Sequence, residues 1–484
     1  MHYKIPRVVI AAVSSGCGKT TIVAGLLSAL RQQGIKVQSY KVGPDYIDPG
    51  YHRLASGRAA HNIDTWLMSR ETMVNSFIAA AADAELSVIE GVMGLYDGGN
   101  GGISSTAEIA KLLKAPVLLV IDCKAMGASA AAIALGFREY DPEVQLAGVI
   151  LNRLGSDNHQ DMIQKALAGL GIPVLGAVRR NELLTMPERH LGLLPVEENK
   201  EQQVVDAMGE AMGRQINLAG LMQLAHNAQH LAKAVNPADG YLQQVIEGRR
   251  RSFPDDFGKI KIGVARDEAF SFYYEESLAV LEQLGARLVE FSPLHDKALP
   301  QADGLLIGGG FPEMFAGELA GNTAMLAELR RAAAAGMPML AECGGYMYLS
   351  QSLTDFGGRS YPMAGVLPGR VQMNERLQMV GYVEAELQHD CCLGRGGMKL
   401  RGHEFHFSSE IRGEAADILG ERAFSFTRMR NRAVYQGGSI AASGNILGSY
   451  LHIHFAGCPQ AAAAFVGTCW NYRIKCQGED FETK

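Results

Sequence analysis

A glycine-rich segment near the start of the chain has the residue types needed to bind a phosphate group. Segment 8–21 runs from an apolar strand through a glycine turn into a helical pattern. The residues that match the GxGK[ST] end of a Walker A loop are Gly16, Gly18, Lys19 and Thr20. In such a loop, backbone N–H groups cradle phosphates, the lysine reaches the β- and γ-phosphates and the hydroxyl holds Mg²⁺. Val13 replaces the first glycine of the full motif, so a glycine turn without function is the alternative interpretation.

Carboxylates follow several predicted strands. Glu90 and Asp122 each close an apolar strand, and Asp45 and Asp48 follow another. Because the carboxyl ends of parallel strands meet at one edge of a sheet, where ligands bind, we expect these side chains to lie near Thr20. The sequence therefore predicts a Mg²⁺-phosphate site that includes Thr20, Asp45 and Glu90. Taken singly, each carboxylate could equally be a loop or capping residue.

Cys343 has the setting of a catalytic nucleophile. It stands between a short apolar strand and two glycines that begin a helical pattern. This order is that of a nucleophile elbow, by analogy with GxSxG hydrolases. A helix N-terminus stabilises the thiolate, which is the nucleophilic form of cysteine. Since another strand runs into the triplet 308–310, the N–H groups of Gly309, Gly310 and Gly344 are candidates for an oxyanion hole.

Two histidines near the end of the chain are candidates for the general base that such a cysteine needs. His452 and His454 follow a predicted strand, and their i, i+2 spacing would place both on one face if the strand continued. Either could face Cys343, and a packed or surface histidine is the alternative interpretation for each.

The scaffold for these residues is predicted from hydrophobic patterning. Up to residue 197, short apolar runs alternate with helical patterns, which indicates right-handed crossovers and a mostly parallel sheet. The predicted strands of this part are 7–13, 36–41, 86–90, 117–122, 146–152 and 173–177. A second α/β pattern starts near residue 259, with strands at 261–265, 287–291, 305–308 and 339–341, a β-rich stretch at 365–407 and a final strand at 446–450. We predict an α/β protein with two parallel-sheet domains, 1–197 and 258–484, and a helical segment and linker at 198–257.

Composition limits the class of protein. The 484 residues suffice for two or three domains with large cores, and the net charge of −6 gives no argument for nucleic-acid binding. No apolar run reaches the ~18 residues of a membrane span, and the first residues lack the features of a signal peptide. The eight cysteines show no disulfide-framework spacing. We therefore expect a reduced, cytoplasmic protein without a membrane or nucleic-acid partner.

Taken together, the motifs resemble the cobyrinic acid a,c-diamide synthase family. The segments that carry the resemblance are SSGCGKTT, KVGPDYIDPGYH, HNIDTWLM, EGVMGLYDG, GGGFPE, AECGGYMYL, VGYVEAE, LRGHEFHFS and GSYLHIHF. The resemblance implies a P-loop, dethiobiotin synthetase-like domain followed by a class I glutamine amidotransferase domain. It also implies a ligase of cobalamin biosynthesis that amidates the a and c acetate carboxylates of a corrin with ATP, glutamine and Mg²⁺. A homodimer is compatible with it.

The resemblance also implies roles for individual residues. Cys343 would attack the glutamine amide and His452 would activate it, while His454 stands where related triads have a glutamate. The residues expected to bind ATP are Ser15, Gly16, Cys17, Gly18, Lys19, Thr20, Thr21 and Asn152, the last of which would read adenine or cap a strand. Those expected to face the tetrapyrrole are Tyr46, Asp48, Asp64 and Asp97, and we add Asp122 to this set. The family motif that contains His403 and His406 has no role that we can derive.

Two other functions remain open at this stage. The closest is the same reaction on another tetrapyrrole: sirohydrochlorin, nickel-sirohydrochlorin or hydrogenobyrinate. The more distant is a regulatory P-loop ATPase with an inactive glutaminase domain. The signature lysine of that ATPase class would occupy Ser14 or Ser15 and is missing, which makes this alternative weaker.

Overall fold

The computed structural model describes residues 2–180, 198–252, 258–411, 420–441 and 443–482. The chain divides into two units, residues 1–235 and 236–484. The expected helical segment at 198–257 therefore contributes to both units. The end of the predicted first domain, residue 197, lies outside the described residues. So do residues 253–257, in the predicted linker.

A seven-stranded parallel sheet forms the centre of the first unit, in the order β4-β3-β5-β2-β6-β7-β8. The strands of this unit are β1 (His2–Tyr3), β2 (Arg7–Ala12), β3 (Val37–Val42), β4 (His61–Ile63), β5 (Leu86–Glu90), β6 (Val117–Asp122), β7 (Leu146–Leu154), β8 (Val174–Arg179) and β9 (Leu231–Ala232). All residues of β2, β3 and β5 are buried, as expected for strands covered by helices on both faces. The predicted parallel sheet is confirmed.

The helices of the first unit follow the strands in the alternation that the sequence predicts. They are α1 (Lys19–Gln32), α2 (Ile47–Ser56), α3 (Arg70–Ala80), α4 (Thr106–Leu112), α5 (Ser129–Tyr140), α6 (Asp157–Ala168), α7 (Glu198–Gln215) and α8 (Leu218–His226). Three of them begin with a serine whose side chain accepts a backbone N–H of the first turn: Ser69, Ser105 and Ser156. Helix α1 buries Ile22, Leu26 and Leu30 in the core beneath the sheet.

A ten-stranded mixed sheet dominates the second unit, in the order β12-β10-β13-β15-β24-β23-β22-β19-β20-β25. Its strands are β10 (Ile260–Ala265), β12 (Ala286–Phe291), β13 (Gly304–Ile307), β15 (Met339–Glu342), β19 (Met379–Leu387), β20 (Lys399–His406), β22 (Gly420–Arg428), β23 (Val434–Ala441), β24 (Ile446–Ser449) and β25 (His452–Ile453). The first five strands in spatial order are parallel. The other five extend the sheet with antiparallel pairs.

The remaining elements of the second unit flank this sheet. The short strands are β11 (Phe270–Phe272), β14 (Gly309–Gly310), β16 (Ser352–Thr354), β17 (Ser360–Pro362), β18 (Arg370–Met373) and β21 (Ser408–Ile411). The helices are α9 (Pro237–Ser252), α10 (Glu275–Gln283), α11 (Ala316–Gly321), α12 (Thr323–Ala334), α13 (Gly344–Leu349) and α14 (Pro459–Glu482). No helix within the described ranges is both long enough and apolar enough to cross a bilayer.

Two expectations for the second unit need correction. The expected final strand at 446–450 ends at Ser449, and β25 follows it as a separate strand that pairs with β20. The parallel α/β core is confirmed, but the antiparallel half of the sheet was predicted only as a β-rich stretch. The sequence also indicates a linker over residues 249–258, from its charge, proline and glycine, but residues 249–252 form the last turn of α9.

Candidate active sites

The loop between β2 and α1 has the backbone shape that its glycines favour. Gly16 and Gly18 have φ angles of 79° and 81°, in the left-handed region that other residues rarely adopt. A Cβ on Gly18 would also lie 2.5 Å from Asn152 Nδ2, so space as well as conformation requires glycine here. The loop ends at Lys19, the first residue of α1, where helical N–H groups are free to bind an anion.

Other predicted nucleotide-binding residues differ in exposure. Ser15 is exposed and Thr21 is half-buried. The side chain of Cys17 lies in the core, so a contact with ATP would use its backbone. Asn152 Nδ2 donates to Cys17 O at 2.8 Å, and Asn152 Oδ1 accepts from the N–H of Arg153 at 2.9 Å. The structure thus brings Asn152 to the loop, and its adenine-reading role stays a prediction.

The structure brings Thr20 and Glu90 together. Thr20 Oγ1 donates to Glu90 Oε1 at 2.8 Å and to Asp48 Oδ2 at 3.3 Å. Asp45 is placed differently, because its Oδ1 accepts from the N–H groups of Ile47 and Asp48 at 2.8 and 3.4 Å. Of the two aspartates, Asp48 is therefore the one in contact with the threonine hydroxyl, while Asp45 stabilises the start of α2.

A buried lysine that the sequence analysis missed stands among these carboxylates. Lys41 Nζ lies 3.1 Å from Glu90 Oε1 and 3.8 Å from Asp45 Oδ2, and it donates a short hydrogen bond to Asp48. Burial disfavours the ammonium, but the charges of Asp48 and Glu90 outweigh this and hold the pKa of Lys41 above its ordinary value. The signal in the sequence is a lysine at the end of a predicted strand, four residues before Asp45.

Two further basic side chains interact electrostatically with this cluster. His52 Nε2 lies 2.7 Å from Glu90 Oε2, and both side chains are fully buried. Burial alone would raise the pKa of Glu90, but Lys41 and His52 hold it below its ordinary value. Lys19 Nζ donates to Met93 O at 3.1 Å, and burial lowers the pKa of Lys19. His52 could have been found in the sequence, because it lies four residues after Asp48 on one helical face.

The residues expected to face the tetrapyrrole are not equivalent. Asp64 is fully buried, and its Oδ1 accepts from the N–H groups of Trp66 and Leu67 and from the hydroxyl of Ser104. In this conformation the Asp64 carboxylate holds a turn, and its substrate role stays a prediction. Tyr46 immediately precedes α2 and is half-buried.

The other two carboxylates of this set also have partners within the protein. Asp97 Oδ2 accepts from the N–H of Gly94 at 3.0 Å. Asp122 Oδ2 forms an ion pair with Arg153 at 2.6 Å, and about a quarter of its side chain is exposed. Asp97 lies in the loop that follows β5, and Asp122 is the last residue of β6. Their substrate roles stay predictions.

The oxygens around Thr20 have the chemistry that Mg²⁺ requires. Among the described residues, no group of three or more histidine, cysteine, aspartate or glutamate side chains has the arrangement of a metal site. The Thr20 hydroxyl and the Glu90 carboxylate are nevertheless hard oxygen donors, and they are close enough to share one ion. Asp48 supplies a third such oxygen, whereas Lys41 Nζ supplies positive charge to the same carboxylates.

Cys343 occupies a strained turn between β15 and α13. Its φ and ψ angles are 48° and −102°, a conformation that is rare for a residue with a side chain. The N–H of Cys343 donates to Ser449 O at 2.7 Å, which anchors the turn to β24. The strand, cysteine and helix order confirms the predicted elbow geometry, and such strain concentrates at functional sites.

His452, rather than His454, faces this cysteine. Burial would lower the pKa of His452, but a side-chain hydrogen bond with Cys343 and the charges of Cys343 and Glu342 raise it to about 10. His454 lies beyond the end of β25 with its Nε2 at 3.7 Å from Glu276 Oε2. The condition for both histidines to share one face is not met, because β25 ends at Ile453.

Three glycines line the space beside Cys343 and His452. Gly344 is the first residue of α13, where the N–H has no intrahelical acceptor. A Cβ on Gly344 would lie 3.0 Å from Gly310 N, and a Cβ on Gly309 would lie 2.7 Å from His452 Cε1. These close approaches require glycine and bring backbone N–H groups to the site, as an oxyanion hole needs.

Comparisons with known proteins agree with this arrangement. Residues 8–194 match the CobQ/CobB/MinD/ParA nucleotide binding domain, and residues 261–459 match the CobB/CobQ-like glutamine amidotransferase domain. The chain is 42% identical to the cobyrinate a,c-diamide synthase of Dehalococcoides mccartyi (strain CBDB1), over 95% of this chain and 97% of the relative. It is 38% identical to the enzyme of that name from Leptospira interrogans (strain Fiocruz L1-130), over 97% and 99%. It is 40% identical to the hydrogenobyrinate a,c-diamide synthase of Streptomyces coelicolor, over 96% and 98%.

A nucleotide-binding unit followed by a glutamine amidotransferase unit defines a glutamine-dependent, amide-forming ligase. Within that class, the chain belongs to the cobyrinate a,c-diamide synthase family, as its motifs predict.

Proposed function

We propose that this chain amidates the a and c acetate carboxylates of cobyrinate, using ATP and taking ammonia from glutamine. The observation that carries the proposal is the near-complete overlap, at about 40% identity, with relatives of that name. The proposal assigns glutamine hydrolysis to residues 258–484 and carboxylate activation to residues 1–197, with 198–257 between them in the sequence. Hydrogenobyrinate is the second candidate substrate, because a relative named for it is equally similar.

Glutamine hydrolysis would begin at Cys343. Its thiolate attacks the side-chain amide carbon, and N–H groups of Gly310 and Gly344 stabilise the oxyanion. His452 gives a proton to the leaving nitrogen, the C–N bond breaks and ammonia departs, which leaves a glutamyl thioester. Water then hydrolyses the thioester and regenerates Cys343. The raised pKa of His452 supports this role, because it keeps the imidazole protonated beside the thiolate.

Carboxylate activation would take place beside the glycine loop. An acetate oxygen of the substrate attacks the γ-phosphorus of ATP and ADP leaves, because a free carboxylate is a poor acyl donor and an acyl phosphate is a good one. Ammonia then attacks the acyl carbon and releases phosphate. Lys19 and the loop N–H groups would hold the phosphates. When bound, Mg²⁺ would neutralise phosphate charge, held by Thr20, Glu90 and Asp48.

Three finer points belong to the same proposal. Tyr46, Asp64, Asp97 and Asp122 are the residues we assign to the tetrapyrrole. Asp48, predicted to belong to that set, is assigned to Mg²⁺ instead of the predicted Asp45, because its Oδ2 contacts the Thr20 hydroxyl. We place the enzyme in the cytoplasm, in keeping with eight free cysteines. A homodimer is the assembly to test, by light scattering of the full chain.

The substrate is tested with a panel of tetrapyrroles. Cobyrinate, hydrogenobyrinate, sirohydrochlorin and nickel-sirohydrochlorin are each incubated with ATP, Mg²⁺ and glutamine, and the products are analysed by mass spectrometry. We expect conversion of two carboxylates to amides on cobyrinate. Conversion of hydrogenobyrinate alone would establish the second candidate. A mass change confined to the sirohydrochlorin species would overturn both.

A further inference from the structure

The general base has a carboxylate neighbour at a position that related triads do not use. Where those triads have a glutamate two residues after the histidine, this chain has His454. Glu342, the residue just before Cys343, has its Oε2 3.7 Å from His452 Nδ1. We propose that Glu342 is the positioning residue that orients His452 for proton transfer with Cys343. This inference rests on the proposed glutaminase function.

The Glu342 carboxylate is itself held in place. It sits at the end of β15, and its side chain is only 13% exposed. Its Oε1 accepts the N–H of Ile453 at 3.3 Å, the residue that follows His452. The Glu342 carboxylate thus binds the backbone next to His452, while the Glu342 backbone is joined directly to Cys343. This double attachment fixes the carboxylate relative to both catalytic groups.

Other titratable groups around His452 are less suited to this role. The ring of His403 stacks on His452 at 4.8 Å, and burial lowers the pKa of His403, so it is neutral. Burial likewise lowers the pKa of His406 to about 4. Burial raises the pKa of Glu404 to about 7, and its carboxylate accepts a short hydrogen bond from the Tyr435 hydroxyl. Glu342 is therefore the carboxylate that remains available to the base.

The chemical role follows from what a histidine base needs. A carboxylate at Nδ1 fixes the tautomer and the ring orientation, and it stabilises the imidazolium formed when the nucleophile loses its proton. The 3.7 Å separation is an ion-pair distance rather than a hydrogen bond. Such contacts are often long in ligand-free structures and shorten in the complex with substrate.

The test compares Glu342→Gln with wild type in the full-length enzyme. Glutamine-supported kcat should fall roughly 10²-fold or more, whereas amidation with ammonium chloride should be unchanged. Alkylation of Cys343 by iodoacetamide, followed by mass spectrometry of its peptide across pH, supplies a second measurement. In Glu342→Gln, the inflection of the alkylation rate against pH should move to higher pH. With a less stabilised imidazolium, the thiol of Cys343 stays protonated up to a higher pH. Glu342→Asp keeps the carboxylate, so its kcat and its alkylation inflection should lie between those of wild type and Glu342→Gln. It replaces Glu342→Gln in the test if that variant does not fold.

Glu276→Gln is the matched control, since Glu276 lies at the same 3.7 Å distance from the neighbouring His454. It should leave the alkylation inflection unchanged. A loss of activity in Glu342→Gln without a shift of the inflection would indicate a structural role only and overturn the inference, as would unchanged kcat. Cys343→Ala is run in parallel. If it still hydrolyses glutamine, the proposed function fails rather than the role of Glu342.

Discussion

At the scale of single residues, Lys41 is the cation that binds two carboxylates of the cluster in the first unit at once. Glu90 is fully buried, and Lys41 Nζ contacts both it and Asp48. Motif spacing predicts Lys19, Thr20 and Glu90, because each has a fixed place in a loop or at a strand end. It does not predict Lys41, since its role comes from carboxylates that the fold gathers around it.

Replacing Lys41 with methionine should destabilise the first unit by about 3–5 kcal/mol, because it leaves buried carboxylates without their counter-ion. Trp66 and Trp470 are the two tryptophans of the chain. In a Trp470→Phe background, the fluorescence of Trp66 therefore reports urea unfolding of the first unit. Amidation with ammonium chloride should also be lost.

The matched control is Lys36→Met, which removes an exposed lysine just before the same strand. Its free energy of unfolding should stay within about 0.5 kcal/mol of wild type. If Lys41→Met were equally stable, the carboxylates would not need this cation and the electrostatic account of the cluster would be wrong.

At the scale of elements, both sites are built on a strand, a tight turn and a helix. The bounds of β5 and β6 agree with those predicted, because strands buried on both faces are continuous apolar runs. The break between β24 and β25 was not predicted, since it depends on pairing with β20, which is distant in sequence. His452 and His454 are placed differently because β25 ends at Ile453, and local patterning does not show that end.

A methyl group on Gly309 tests the packing of the nucleophile site. A Cβ there would lie 2.7 Å from His452 Cε1 and must displace the imidazole. Gly309→Ala should therefore lower glutamine-supported kcat by roughly 10²-fold, with ammonium-supported amidation retained. Steady-state assays with each nitrogen source measure the two effects.

Gly321→Ala is the control for this substitution, because a Cβ at Gly321 meets no atom within 4 Å. It should behave as wild type with both nitrogen sources. Normal glutamine turnover in Gly309→Ala would show that His452 does not act from the position described here.

At the scale of the whole molecule, the chain combines two α/β units that each carry one set of reactive groups. The order of the units and the family were predictable, because the motifs recur in sequence order along nearly the whole chain. The identity of the tetrapyrrole was not predictable, since the same phosphate-binding and thiol groups would serve the amidation of every substrate considered. We propose that substrate choice depends on side chains around Asp97 and Asp122, whose carboxylates already have partners in the protein.

The central claim is that the reaction uses two separate sites: one at Cys343 releases ammonia from glutamine, and one at Lys19 uses that ammonia to amidate the substrate. The most direct measurement is amidation of cobyrinate by Cys343→Ala and Lys19→Ala, each supplied with ATP and either glutamine or ammonium chloride, with products quantified by mass spectrometry. We predict that Cys343→Ala is inactive with glutamine and active with ammonium chloride, because only its ammonia source is lost. Lys19→Ala should be inactive with both. Amidation by Cys343→Ala with glutamine, or by Lys19→Ala with either nitrogen source, would contradict the two-site account.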